Sequence, residues 1–310
     1  MKIAYTVLVL AVFVAGRANG DVLPPPQQVS PHVYAWIGPY GGPSRANHGF
    51  RMNMAFVVGK NAVAVLETGY TEAMAQEMLR HIRKISPAPV KYAVNSNSQP
   101  DRFMGNEVFR RAGARIIAHA DEAARMDAQD DNYAMAIEAT LGLPAGSVKP
   151  PRLPQDRIKQ DKTLDLGGVR IRLRHFGAAH TPAPLVAHII EDNVVYAGDI
   201  LYAGRLLAVI PDGNVQSWIK TFDALKVFGD ATFIPGHGAP AKLAQFVRPT
   251  RDYLILLDTH MSKMVDAGVP LQEAIDSLDQ SRFASLENFS ELAGRNANIA
   301  YLEREAAAFK

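Results

Sequence analysis

Cysteine is absent from the 310-residue chain. That excludes disulfides, thiolate metal ligands and a cysteine nucleophile in one step. A charge excess is missing too: 33 basic residues face 31 acidic ones, and the first twenty residues hold Lys2 and Arg17 but no acid, so the remainder balances. Nothing in that balance draws the protein to nucleic acid or to anionic lipid. Long apolar runs are also lacking. The one extended run, Ile3 to about Ala15, falls short of the roughly 18–20 residues that cross a bilayer. With Lys2 ahead of it and the small-x-small triplet Ala18-Asn19-Gly20 behind, it reads as a secretory signal peptide over residues 1–20, cut after Gly20. The mature chain is then expected in the periplasm or secreted, free of the membrane.

What is present suits a substantial packed core, since 48% of residues are hydrophobic. Residues 21–31 (DVLPPPQQVSP) form a Pro-rich leader, and β-rich runs follow at 32–37, 52–58 and 62–66. Residues 71–85 carry apolar side chains at helical spacing and stop before Pro87-Ala88-Pro89. A strand at 90–94, a loop, a helix at 103–112 and a strand at 115–118 come next, and 126–154 reads as a less regular insertion or lid. Strands return at 163–166, 169–176, 185–190, 193–197 and 232–234, with an amphipathic helix at 216–228 between the last two. In VRIRLRHF the parity of Val169, Ile171 and Leu173 puts His175 on the buried face. Helical patterning continues over 246–265, 271–278 and 288–309. Two similar halves of strands followed by helices predict two sheets packed face to face with helices outside. The domain is expected over 32–240, with 241–310 a helical extension packed on it.

Four short stretches each place a polar side chain near a strand end: Asp101 in SQPDR, His180 in GAAHTP, Asp199 in YAGDIL and His237 in IPGHGAP. Loops at strand ends are where a rigid scaffold converges distant residues on one point. Singly, an Asp or His beside Gly is more often a turn or capping residue than a ligand.

Taken together and in order, the four stretches resemble the metallo-β-lactamase superfamily, from about His32 to Pro240. The resemblance implies an α+β fold, a four-layer αββα sandwich with one or two zinc ions at the sheet edge, and here extra C-terminal helices. The family's His-x-His-x-Asp-His motif falls on Asn97-Ser98-Gln99-Pro100-Asp101-Arg102. It implies a first metal site built from both leading histidines with His180, a second from Asp101, the residue at 102 and His237, and Asp199 bridging them. Asn97 and Gln99 remove both imidazoles of the first site, and an amide oxygen is a poor zinc partner. Asp101, Asp199 and His237 remain for the second. An Asn at the first motif position and an Arg at the last also occur in mono-zinc metallo-β-lactamases, although those keep a His where this chain has Gln99 and a Cys where it has Asp199.

Two readings follow from that resemblance. In the first, Asp101, Asp199 and His237, with His180 nearby, hold one zinc that activates water against an ester, thioester or lactam-like bond. His180 then serves as base, and Asn97 or Gln99 steadies an oxyanion. In the second, no zinc binds: Arg102 pairs with Asp101 or Asp199 in the cation's place, and the protein is a small-molecule binding or accessory protein. The export signal and overall shape are also similar to exported metallohydrolase-like proteins that accompany quinoprotein dehydrogenases, which implies a periplasmic redox partner. Around the site, Glu67 stands in the turn where the family has Asp, Tyr202 reads as pocket lining or a packed aromatic, and His48 as a substrate contact or loop residue. His81, His119, His188 and His260 fit core or surface roles better than ligation.

Overall fold

The structure, a computed structural model, describes residues 22–308, apart from the side chains of residues 130 and 131. The expected signal peptide lies outside the described residues. The first sheet comprises β1 (Gln27–Gln28), β2 (Val33–Trp36), β3 (Met54–Val58), β4 (Val63–Leu66), β5 (Val90–Val94), β6 (Arg115–His119) and β7 (Asp156–Ile158), in that spatial order. It is antiparallel from β1 to β4 and parallel from β4 to β7. β8 (Lys162–Asp165), β9 (Arg170–His175), β10 (Leu185–Ile189), β11 (Val194–Tyr202) and β12 (Thr232–His237) form the second sheet in sequential order, antiparallel except for the parallel pair β11–β12.

Successive side chains of a strand point to opposite faces, and here both faces are apolar. Met54, Phe56, Val63 and Val65 meet helices on one side of the first sheet, whereas Ala55, Val57, Ala64 and Leu66 meet Leu164, Ile171, Leu173 and Tyr196 of the second sheet on the other. The helices α1 (Glu72–Ile85), α2 (Pro100–Phe103), α3 (Asn106–Arg111) and α4 (Ala120–Leu141) belong to the first half. The second half carries α5 (Val215–Ala224), α6 (Ala244–Phe246), α7 (Tyr253–Asp266), α8 (Leu271–Asp276) and α9 (Phe289–Ala308). The result is the expected αββα sandwich with added C-terminal helices. Tyr253, Leu257, Met261, Leu292, Ala297 and Tyr301 of those helices share one apolar cluster with Trp218, Phe222 and Val186.

Three local expectations need correction. Residues 126–154 are not an irregular insertion throughout, because α4 runs to Leu141 and ends on Gly142 in the left-handed conformation (φ 65°). Ala123, Met126, Ala134, Ile137 and Leu141 are buried at helical spacing, a pattern hidden in the sequence by the polar stretch DAQDDN. His175 is exposed rather than buried; it closes β9 where the strand leaves the sandwich, and its Nδ1 bonds the Pro184 carbonyl at 3.1 Å. The helix expected from 246 to 265 is interrupted by a π-helical turn, Val247–Asp252, around Pro249, which has no N–H to donate.

Asp192, between β10 and β11, clasps the Pro-rich leader. It accepts from Ser30 Oγ and from the His32 backbone N–H (2.8 Å), and pairs with His32 Nδ1 at 2.6 Å. Burial pushes its carboxyl up, but the bonds from Ser30 and His32 outweigh that and hold the pKa below the ordinary value. The folded pKa is depressed, so this stabilisation is full above about pH 4 and is lost as pH falls through the depressed value. Asp192→Asn should therefore cost about 1–2 kcal/mol at neutral pH, with wild type and variant converging in urea midpoint below about pH 3.

Candidate functional site

Strand ends of both sheets converge on one point. β5 delivers the loop 95–99 and the short helix α2 that carries Asp101 and Arg102. β9 leads into the loop of His180, and β12 ends on His237. Asp199 lies inside β11, not after it: the pairing with β12 slips on either side of Gly198, which sits at φ 53°. A bulge of this kind re-aims the next side chain. Gly236 is required opposite, because a Cβ there would lie 2.2 Å from Asp199 Oδ1.

At the centre is an ion pair. Arg102 is wholly buried and grips Asp199 with two bonds, Nη2 to Oδ1 at 2.6 Å and Nε to Oδ2 at 3.1 Å. Its Nη1 donates to the Asn53 carbonyl at 3.2 Å, and its Nε lies 3.6 Å from Asp101 Oδ1. The backbone is pinned as firmly, since the Arg102 carbonyl accepts from the Thr68 N–H and from Asn95 Nδ2, both at 2.9 Å. Burial opposes the guanidinium's charge, but Asp199 and Asp101 more than offset it and hold the pKa well above the usual value. The Asp199 carboxyl is also destabilised by burial, yet Arg102, His180 and His237 together hold its pKa low.

The histidines flank this pair. His180 Nδ1 bonds the Ala208 carbonyl at 2.8 Å and His237 Nδ1 the Arg51 carbonyl at 3.0 Å. A carbonyl only accepts, so Nδ1 carries the proton in each ring and Nε2 is bare. Burial lowers both pKa values, His237 most, so both rings are neutral near pH 7. His237 Nε2 stands 3.6 Å from Asp199 Oδ1, and Tyr202 stacks on its ring at 5.0 Å. Arg51, Gln99, His180, Asp199, Tyr202, Arg205, His237, Leu292 and Arg295 are among the residues that enclose a cavity of about 160 Å³.

Does a divalent cation fit? Asp199 is heavily engaged: Arg102 bonds both oxygens, and Asn97 Nδ2 donates to Oδ2 at 2.8 Å. Asp101 Oδ2 accepts from Arg51 Nε at 2.9 Å. Among the described residues no three His, Asp or Glu side chains are disposed to hold a metal. Three guanidiniums (Arg51, Arg102, Arg205) already face two carboxylates here, so an added double positive charge would go unanswered. The donor set does not fit zinc.

Other expected residues fall as follows. Asn97 is engaged at both ends, its amide oxygen accepting from the Gln99 N–H at 2.9 Å, whereas Gln99 lines the cavity. His48 is exposed and lines a different cleft, with Val22, Pro24 and Phe50. His81 is buried and accepts from Trp36 Nε1 at 3.1 Å, and His260 bonds the Ala274 carbonyl.

Two organising residues escaped the sequence reading. Asn53 ties the sheets together, its Nδ2 donating to the carbonyls of Pro235 (2.9 Å) and Gly238 (2.7 Å) on either side of His237. Glu122, fully buried at the start of α4, accepts from the Ser98 N–H (2.8 Å) and the Ala183 N–H (2.7 Å), clipping together the loops of Asn97 and His180. The signal for both was a lone polar residue inside an apolar run or first helical turn, which many surface residues share.

Comparison with known proteins finds that a family model described as "Metallo-beta-lactamase superfamily" matches residues 48–237. A curated relative, the linear primary-alkylsulfatase of Pseudomonas sp. (strain ATCC 19151), is 18% identical over 250 residues, covering 69% of this chain and 47% of its own. The chain thus spans about half the length of that relative. Among solved structures, a metallo-β-lactamase from Pontibacter korlensis aligns with TM-score 0.58 at 18% identity, over 74% of this chain and 98% of its own. VMB-1 gives TM-score 0.58 at 15% identity, over 74% of this chain and 95% of its own.

Glu67 yields a pH test. It occupies the turn beneath the site at φ 70°, fully buried, and accepts from the Ser96 N–H at 3.1 Å. Burial raises its pKa to about 7, against the pull of Arg102 and Ser96. The folded state thus binds the proton more tightly than the unfolded one, so this residue's contribution to stability should fall as pH rises from about 4.5 to 7, by about 3 kcal/mol at most. In Glu67→Gln that slope should vanish from urea midpoints taken between pH 5 and 8.

Proposed function

From the premise that this chain belongs to the metallo-β-lactamase superfamily of hydrolases, whose members usually bind zinc, we propose that it is a metal-free member. Its Arg102 guanidinium replaces the cation, and its site binds a small molecule. The observation that carries this reading is the bidentate Arg102–Asp199 pair, with Arg102 wholly buried and its backbone held from Thr68 and Asn95. Like a metal, the guanidinium answers the charge of Asp199; unlike a metal, it has no open coordination position and cannot ionise water at neutral pH.

The mono-zinc hydrolase reading is favoured by two specific features: the bare Nε2 atoms of His180 and His237, and Asp101 Oδ1, which is buried with no hydrogen-bond partner. In that reading Asp101, Asp199 and His237 hold one ion and the bond cut is an ester, thioester or lactam. The sulfate-ester chemistry named in the alkylsulfatase relative extends the ester class. It requires Arg102 to leave Asp199.

Export belongs to the same proposal, with the mature protein in the periplasm, where a redox partner is the expected associate. Protein recovered from a bacterial periplasm should begin at Asp21, as read by N-terminal sequencing; an intact Met1 would remove this part.

Elemental analysis separates the metal readings. Protein expressed and refolded with zinc available should carry far less than one ion per chain; about one ion, lost in His237→Ala, would establish the zinc site instead. Arg102→Met should destabilise the fold by about 3–5 kcal/mol in urea titration, because it strands a buried carboxylate.

A further inference from the structure

Arg205 is the second buried guanidinium of the site, and among the described residues no carboxylate bonds it; Asp199 and Asp101 attract it only from a distance. Only 5% of the residue is exposed, Nη1 is buried without a hydrogen-bond partner, and Nε reaches only the Leu206 carbonyl at a long 3.4 Å. Burial lowers its pKa, as does its neighbour Arg51, against the weaker opposing pull of Tyr202, Asp199 and Asp101. Asp101, the carboxylate that Arg51 engages, and Asp199, which Arg102 engages, make no hydrogen bond to it. A buried guanidinium without a hydrogen-bonded carboxylate is costly, and Arg205 lines the 160 Å³ cavity.

Part of the cavity wall comes from α9, beyond residues 48–237 matched by the family model. Leu292 and Arg295 of that helix line the cavity, Leu292 buried and Arg295 exposed at the rim. The helix is held in place by Asn296, whose Oδ1 accepts from the Val209 N–H (2.8 Å) and whose Nδ2 donates to the Leu207 carbonyl (2.7 Å). The Arg205 segment is held as well, through the Leu206 N–H to the Glu287 carbonyl at 2.9 Å and the Glu287 N–H to the Gly204 carbonyl at 3.1 Å. Ile210 and Leu292 supply apolar surface, and His180 and His237, both neutral, supply acceptors and no charge.

We propose that the ligand is a small organic oxyanion, a short-chain carboxylate or alkyl sulfate, whose charged head is gripped by Arg205 and Arg295 and whose short tail lies against Leu292 and Ile210. The identification rests on the metal-free reading of the site. Guanidinium forks match carboxylate and sulfate oxygens alike. The cavity has the volume of about five liquid waters, which limits the tail to a few carbons. The C-terminal helix thereby sets specificity, since it provides one guanidinium and the apolar wall.

Isothermal titration with butyrate, methyl sulfate and the uncharged isostere butyramide tests this, with zinc content measured on the same sample. One equivalent of butyrate or methyl sulfate should bind, the tighter of the two identifying the head group, and butyramide should not. Arg295→Gln, at an exposed helix position, should weaken binding by at least roughly tenfold. Arg205→Gln should abolish it while raising the ligand-free urea midpoint, because an unanswered buried charge is gone. Absence of saturable binding by either anion, equal binding of butyramide, or unchanged affinity in both variants would overturn the proposal. Anion binding only by a zinc-loaded sample would overturn the metal-free reading and this proposal with it; a metal-free sample that ignores both anions fails this one alone.

Discussion

A buried charge must be answered, and the arrangement of this site follows from Asp199 being answered by Arg102. The pair sits where loops from both sheets meet, so whatever holds it also holds the sandwich in register. Asn53 joins them through its backbone carbonyl, which accepts from Arg102 Nη1 and from the Tyr196 hydroxyl, while its amide grips the strand end that carries His237. Glu122 does the same for the loops of Asn97 and His180. On the proposed reading, one buried ionic centre replaces another and keeps these demands satisfied.

The consequence for chemistry is directional. A zinc ion and a guanidinium both neutralise carboxylates, but only the metal is a Lewis acid with an exchangeable position. What the guanidinium leaves is a small polar cavity with neutral imidazoles and surplus positive charge. On the proposed reading, electrostatics select an anion there and the walls set its size. The helices after residue 240 matter here, because α9 closes the cavity and Thr250, in the π-helical turn, bonds both the N–H and the carbonyl of Tyr202 at 2.9 Å.

Much of this was legible in the sequence. Two β-rich runs marked the β3–β4 hairpin, period-two alternation marked β9, and Asp101, His180, Asp199 and His237 could be singled out because each sits beside Gly, Pro or a small residue near an expected strand end, although Asp199 lies inside β11. Arg102 drew attention only because it breaks a motif. Less was visible where structure depends on distant partners. Arg51 and Arg205 look like ordinary surface arginines in GFRMN and AGRLL, and nothing local says that one meets Asp101 and the other meets no carboxylate. α4 was missed because its buried stripe is narrow and its outward face polar, and His175 was misassigned because parity holds only while a strand stays inside the sheet.

The central claim is that the Arg102 guanidinium holds the place a cation would take. A crystal grown with zinc in excess, with anomalous data collected at the zinc edge, tests it most directly. The account predicts Arg102 unmoved on Asp199, with no anomalous peak among Asp101, Asp199 and His237. A peak bonded to those three residues, with Arg102 swung away, would contradict it.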